Sequence, residues 1–174
     1  MEFELAYKNK EQVLVDDFID VGYMAENVEV ISTCKKVQEL KRSRGDNSMT
    51  LFVSYPSSED FIDEIIKLDE FMSDIKVDIE CYLLFSKDVK LETKLKKFQI
   101  FFDDYDEFGN MYGTKIIEGT LQNRLTKALF LISKDGAVFY LDMPINIENH
   151  LDLNRLHIEL NRAYITYTGV GCHG

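Results

Sequence analysis

The chain is 174 residues long with a mass of 20.3 kDa, a size that fits one domain with room for a hydrophobic core. Apolar residues make up 45% and charged residues 29%, with 9 glycines and 2 prolines, which excludes a collagen-like repeat and an intrinsically disordered chain. Against 20 basic side chains stand 31 acidic ones, giving a net charge of −11; that field repels phosphate backbones and anionic lipid, so neither nucleic acid nor a membrane is expected as a partner.

The first seven residues, Met1-Glu2-Phe3-Glu4-Leu5-Ala6-Tyr7, alternate polar and apolar and have neither the basic start nor the apolar run of a signal peptide. No window approaches 18 uninterrupted apolar residues. A cytoplasmic location is therefore expected. Two alternating runs, at 2–7 and 12–16, flank Lys8-Asn9-Lys10 and predict a β-hairpin. Short strands are predicted at 28–31 and 37–40, followed by a polar loop over 41–48. The nearly continuous apolar run at 49–55 predicts a central strand covered on both faces.

From Glu59 the period changes to that of a helix. Phe61, Ile65, Leu68 and Met72 share one stripe, Asp60, Asp63, Glu64 and Asp69 fall elsewhere, and Ser57 or Ser58 is placed to cap the first amides. A buried strand at 77–85, a lysine-rich helix over 88–97 and a strand at 99–102 complete an alternation that implies parallel neighbours and right-handed crossovers. Apolar runs at 127–132 and 137–141 flank Ser133-Lys134-Asp135-Gly136, a hairpin signal. Asn149 is expected to cap a last helix whose buried stripe is Leu153, Leu156, Leu160 and Tyr164. One domain over 1–167 and a mobile glycine-rich tail over 168–174 follow.

Local sequence sharpens this order of elements. Val21-Gly22 with Ala25, the strand end Phe52-Val53-Ser54-Tyr55-Pro56-Ser57, Phe108-Gly109-Asn110-Met111-Tyr112-Gly113, the hairpin at 129–140 and Asn149-His150 together resemble the atypical two-cysteine thiol peroxidases, a peroxiredoxin subfamily. The resemblance runs from about Val21 onward. It implies an α/β, thioredoxin-like fold with an N-terminal β-hairpin extension and a central mixed sheet flanked by helices. It also implies a homodimer and no cofactor.

The departures fall on the chemistry. In that family a peroxidatic cysteine follows the Pro-Ser segment at the start of the first crossover helix, where helix amides and an arginine favour the thiolate. Here Pro56-Ser57-Ser58-Glu59-Asp60-Phe61-Ile62-Asp63 contains no cysteine, and Ile62 or Phe61 takes its place. Neither carries the lone pair that attack on a peroxide requires. The arginine expected before the Leu129 strand appears as Lys127, with Arg124 three residues away; no resolving cysteine falls between Asp88 and Lys97, and Glu26 stands where the family has proline. The expected protein is thus a peroxiredoxin-like scaffold without peroxidatic or resolving cysteines, acting by binding a protein or small molecule or by self-association. Pro56, Ile62 and Lys127 would line its degenerate peroxide pocket.

The remaining thiols leave an alternative open. Cys34, Cys81 and Cys172 are too few and too widely spaced for a disulfide framework or a C-x-x-C centre. Cys81 reads as a buried hydrophobe, Cys34 lies beside Lys35 and Lys36, and Cys172 on the tail next to His173 could swing as an exchange group. A thiol-dependent redox enzyme or sulfur carrier using Cys172 and Cys34 is the rival reading. No metal is expected: His150 and His157 lie two helical turns apart, and the run from Asp104 fails as a calcium loop because Phe108 and Lys115 occupy ligand positions. His157 is expected on the buried stripe of the last helix, and Lys41-Arg42-Ser43-Arg44 forms a small basic turn.

Overall fold

The structure, a computed structural model, describes residues 4–16, 18–45 and 48–166. The predicted tail with Cys172 and His173 lies outside the described residues. The elements in chain order are β1 (Glu4–Tyr7), β2 (Lys10–Leu14), β3 (Val28–Ser32), β4 (Val37–Leu40), β5 (Met49–Ser54), α1 (Ile62–Ser73), β6 (Ile79–Phe85), β7 (Gln99–Phe102), α2 (Glu107–Met111), β8 (Ile116–Glu118), β9 (Ala128–Ile132), β10 (Val138–Asp142) and α3 (Leu153–Thr166). A seven-stranded mixed sheet has the order β10-β9-β5-β6-β7-β3-β4, and a three-stranded sheet the order β1-β2-β8. Strands β5, β6 and β7 run parallel; the other pairings are antiparallel.

The alternation along β5 shows why this strand is central. Leu51 and Val53 enter one core with Ile65, Met72, Leu156 and Leu160 of the two long helices, while Phe52 enters another with Phe108, Tyr112 and Phe130. A strand buried on both faces is nearly all apolar, and its two hydroxyls are paired: Thr50 accepts from Arg44 at 2.7 Å and Ser54 donates to the Thr126 carbonyl at 2.7 Å. The expected N-terminal hairpin is present, and its turn is tight: Tyr7 pairs with Lys10, and both intervening residues, Lys8 and Asn9, have positive φ, as a two-residue type I′ turn demands.

The Phe108-to-Gly113 motif is a packing device. Phe108 stacks on Tyr112 at 4.7 Å, Tyr112 meets Phe130 at 5.1 Å, and the Tyr112 hydroxyl donates to the Glu26 carbonyl at 2.6 Å. A side chain on Gly109 would meet Lys115 Cβ at 2.9 Å. The first turn of α2 is held from outside: the buried Asp103 carboxylate accepts from the amides of Phe108 (3.0 Å) and Gly109 (2.8 Å).

Burial pushes the Asp103 carboxyl up to about 6 from an ordinary 3.8, against the opposing pull of those two amides. The folded state therefore binds this proton more tightly than the unfolded chain; the stability gained is complete below the ordinary value and is lost as pH rises through about 6. Urea unfolding of wild type and D103N should show the difference moving about 1 kcal/mol toward wild type between roughly pH 7 and pH 5. Parallel pH profiles would remove this role from Asp103.

Several local expectations are corrected. The second crossover, residues 86–98, is not a helix. Its backbone is captured by other groups: the Asp69 carboxylate accepts from the amides of Lys96 (2.7 Å), Lys97 (2.9 Å) and Phe98 (3.0 Å), and Ser58 Oγ donates to the Lys90 carbonyl. These bonds outweigh helix propensity in a stretch crowded with lysines. Helix α1 starts at Ile62, not Glu59, and no side chain caps it; Ser57 Oγ is bonded to Asp60. Helix α3 is capped by Asp152, whose carboxylate accepts from the Arg155 amide at 2.9 Å, rather than by Asn149. On α3, His157 is exposed beside Phe71, Tyr164 is also exposed, and Ala163 completes the buried stripe.

Candidate functional site

The end of β5, the start of α1 and the segment leading into β9 converge around Pro56, where the sequence places the degenerate peroxide pocket. Convergence follows from the sheet order, because β9 lies beside β5 and α1 follows β5 directly. Lys127 is fully buried there. Its ammonium donates to both Glu64 carboxylate oxygens at 2.9 Å and to the Asn149 carbonyl at 2.7 Å, so all three N–H groups are used. It sits 4.9 Å from the Phe61 ring centroid and 5.7 Å from that of Tyr55.

Burial pulls the Lys127 ammonium below its ordinary value, and the hydrogen bonds and charge of Glu64 oppose that shift. Burial likewise raises Tyr55 well above the usual phenol range, with the Glu64 and Asp142 carboxylates adding to it. Asp142 is raised too, chiefly by burial, although the Asp152 amide donates to it at 2.9 Å. A cation with every proton committed and two aromatic rings against it is a structural plug. It presents no open donor to an incoming oxygen anion.

Arg124 holds the outer face of the same turn. Its guanidinium donates to the Pro56 carbonyl at 3.0 Å and pairs with Asp88 at 3.2 Å. The adjoining cleft, about 350 Å³, is lined by Ser57, Ser58, Glu59, Asp60, Asp88, Val89, Lys90 and Arg124. Three carboxylates against two cations would raise the pKa of a thiol placed here. No described cysteine is among the lining residues.

The residues singled out from sequence lie near one another but do not line one open cleft. Pro56 is buried beneath Arg124, Lys127 is sealed by Glu64, and half-buried Ile62 turns to a different cleft, lined by Ser58, Glu59 and residues 90–93. Of the two residues offered for the cysteine position, Phe61 is the one that packs on the Lys127 charge. Cys34 is exposed on the β3–β4 turn, with Lys35 drawn over the Phe102 ring. Cys81 is buried, and burial pushes its thiol up to about 12, far from a thiolate at neutral pH. Among the described residues no cluster of three or more histidine, cysteine or acidic side chains could hold a metal ion.

Glu64 and Arg124 were both visible in the sequence, but their contacts, Glu64 with the Lys127 ammonium and Arg124 with the Pro56 carbonyl, were not anticipated. Glu64 lies three residues after Phe61 and four before Leu68, on the border of the apolar stripe, and that position was the available signal. For Arg124 the signal was weaker, since a bulge-free strand would have pointed it away from Lys127.

No family model matches the chain, and no curated protein matches it by sequence. Solved structures do match. A peroxiredoxin-like protein from Aquifex aeolicus superposes with a TM-score of 0.79 at 18% identity, over 92% of this chain and 96% of that one. A thiol peroxidase from Chromobacterium violaceum gives 0.79 at 16% identity, over 93% and 98%. The mitochondrial 2-Cys peroxiredoxin from Plasmodium falciparum gives 0.62 at 13% identity, over 86% and 98%. With its mixed central sheet, flanking helices and N-terminal hairpin, the chain has the thioredoxin-like fold of the peroxiredoxins.

Proposed function

We propose that this protein is a cytoplasmic, non-catalytic member of the peroxiredoxin fold that acts by binding and self-association. The observation that carries the reading is the plug at the first crossover: the Phe61 ring on Lys127, and Lys127 on Glu64, in the place where a peroxidase needs a thiolate and a free cation. The acidic rim of Glu59, Asp60 and Asp88 supports it further. Among the described residues no helix is long and apolar enough to cross a membrane. The rival reading, thiol chemistry through Cys172 with Cys34, is favoured by the exposure of Cys34 alone.

One preparation tests both. After exposure to stoichiometric hydrogen peroxide, sulfenic acid is trapped with dimedone and mapped by mass spectrometry. Labelling of every cysteine no faster than free cysteine is the expected result; rapid labelling at Cys172 or Cys34 would transfer the assignment to the thiol enzyme. Sedimentation of the same sample should give twice the 20.3 kDa chain mass, the homodimer that the thiol peroxidase resemblance implies.

A further inference from the structure

Opposite the α1 and α3 side of the sheet, the segment before β3 and the short helix α2 build an exposed apolar face. Phe18 is 63% exposed, Tyr23 66%, Met24 48% and Met111 41%, and all four line one concavity of about 600 Å³. The charged side chains lining that concavity are acidic, Asp20 and Glu26, with no cation among them. Phe18 is shared with a second, more enclosed hollow of about 270 Å³, floored by Leu14, Leu141 and Met143. Two apolar hollows divided by one aromatic wall accept two bulky anchors from a single ligand. Exposed methionine adapts to irregular partners at low cost, and clustered apolar exposure of this kind marks an interaction surface.

We propose that this face docks a cationic amphipathic segment of another protein, with its apolar side in the two hollows and its lysines or arginines against Asp20 and Glu26. Charge selects this occupant. The chain carries −11 overall, so a basic segment is drawn in at long range and met by carboxylates at contact. A second copy is disfavoured, because a two-fold contact through this face would bring Asp20 and Glu26 up against acidic copies of themselves, while the adjacent Arg42 is already engaged with the Ala25 carbonyl at 3.0 Å. The assignment rests on residues separate from the Lys127 plug. It names a partner for the binding role proposed above, and its failure leaves the thiol-trapping result untouched.

The test uses a fluorescently labelled, helix-forming peptide of leucine and lysine in amphipathic register, and an analogue with glutamate replacing lysine, titrated against the full chain and followed by anisotropy. Saturable binding of the lysine peptide and none of the glutamate peptide is expected. F18S/M24S changes exposed side chains and should weaken binding about tenfold or more. D20N/E26Q should weaken it several-fold more than E70Q/D74N, which removes the same charge from the C-terminal end of α1 across the sheet. Equal losses in the two charge variants would reduce the effect to net charge and overturn the proposal, as would unaltered binding by F18S/M24S. Sedimentation without peptide supplies the last arm: conversion of a dimer to monomer by F18S/M24S would assign the face to a second copy and overturn it too.

Discussion

Lys127→Met should lower the unfolding free energy by about 3–5 kcal/mol, the cost of leaving a buried carboxylate without its cation. The side chain of Lys127 is 0% exposed and that of Glu64 13%, so water reaches the carboxylate poorly once the ammonium is gone. The Asn149 carbonyl loses a donor in the same step. Methionine preserves most of the volume and the contact with Phe61, which isolates the electrostatic loss from a cavity effect. The double variant K127M/E64Q should recover most of the loss, because it removes the stranded charge. Urea denaturation followed by circular dichroism measures all three proteins. A single-variant loss below about 1 kcal/mol would mean that Glu64 rehydrates freely, and the plug would then be an ordinary surface pair.

Asp69→Ala should be nearly as damaging, by about 3 kcal/mol or more, through a different route. Its carboxylate is the acceptor for three consecutive backbone amides, at Lys96, Lys97 and Phe98, and it is almost wholly buried. Each hydrogen bond to a charged group contributes about 1.5–3 kcal/mol, and an amide left without a partner carries its own desolvation cost. Phe98 is buried, so its amide has least access to water. The damage should be local before it is global. Hydrogen exchange at residues 96–98 should accelerate strongly, and limited proteolysis should shift to the lysines of residues 86–98, while Asp69→Asn should fall between because it keeps one acceptor oxygen. Unchanged exchange at those amides in D69A would show that the crossover is held by Val89, Leu91 and Leu95 packing instead.

Much of the fold was legible because it rests on local signals. Lys8-Asn9 fixed the first hairpin, Asp135-Gly136 the last, and the nearly continuous apolar run of β5 announced a strand covered on both sides. The stripe of Phe61, Ile65, Leu68 and Met72 gave α1 to within three residues. What stayed hidden depended on partners distant in sequence. Residues 88–97 have the spacing of a helix, and it takes groups distant in sequence to divert their backbone, the Asp69 carboxylate on the amides of residues 96–98 and Ser58 on the Lys90 carbonyl. Strand β8 has three residues and exists because β2 is beside it. At the site, the missing cysteine could be read directly, but the closure could not. An acid on the margin of a helical stripe looks solvated until the lysine that buries it is brought alongside.

The position of β9 beside β5 has a consequence for biosynthesis. Ser54 hydrogen-bonds across to the Thr126 carbonyl, 72 residues later, and Glu64 waits 63 residues for Lys127. At about 5–20 residues per second, a ribosome takes roughly 4–14 s to deliver the strand that closes the open side of β5. Throughout that interval the nascent chain carries an apolar strand with an unsatisfied edge and a carboxylate with no counterion, so the half-made polypeptide is the form most in need of a chaperone.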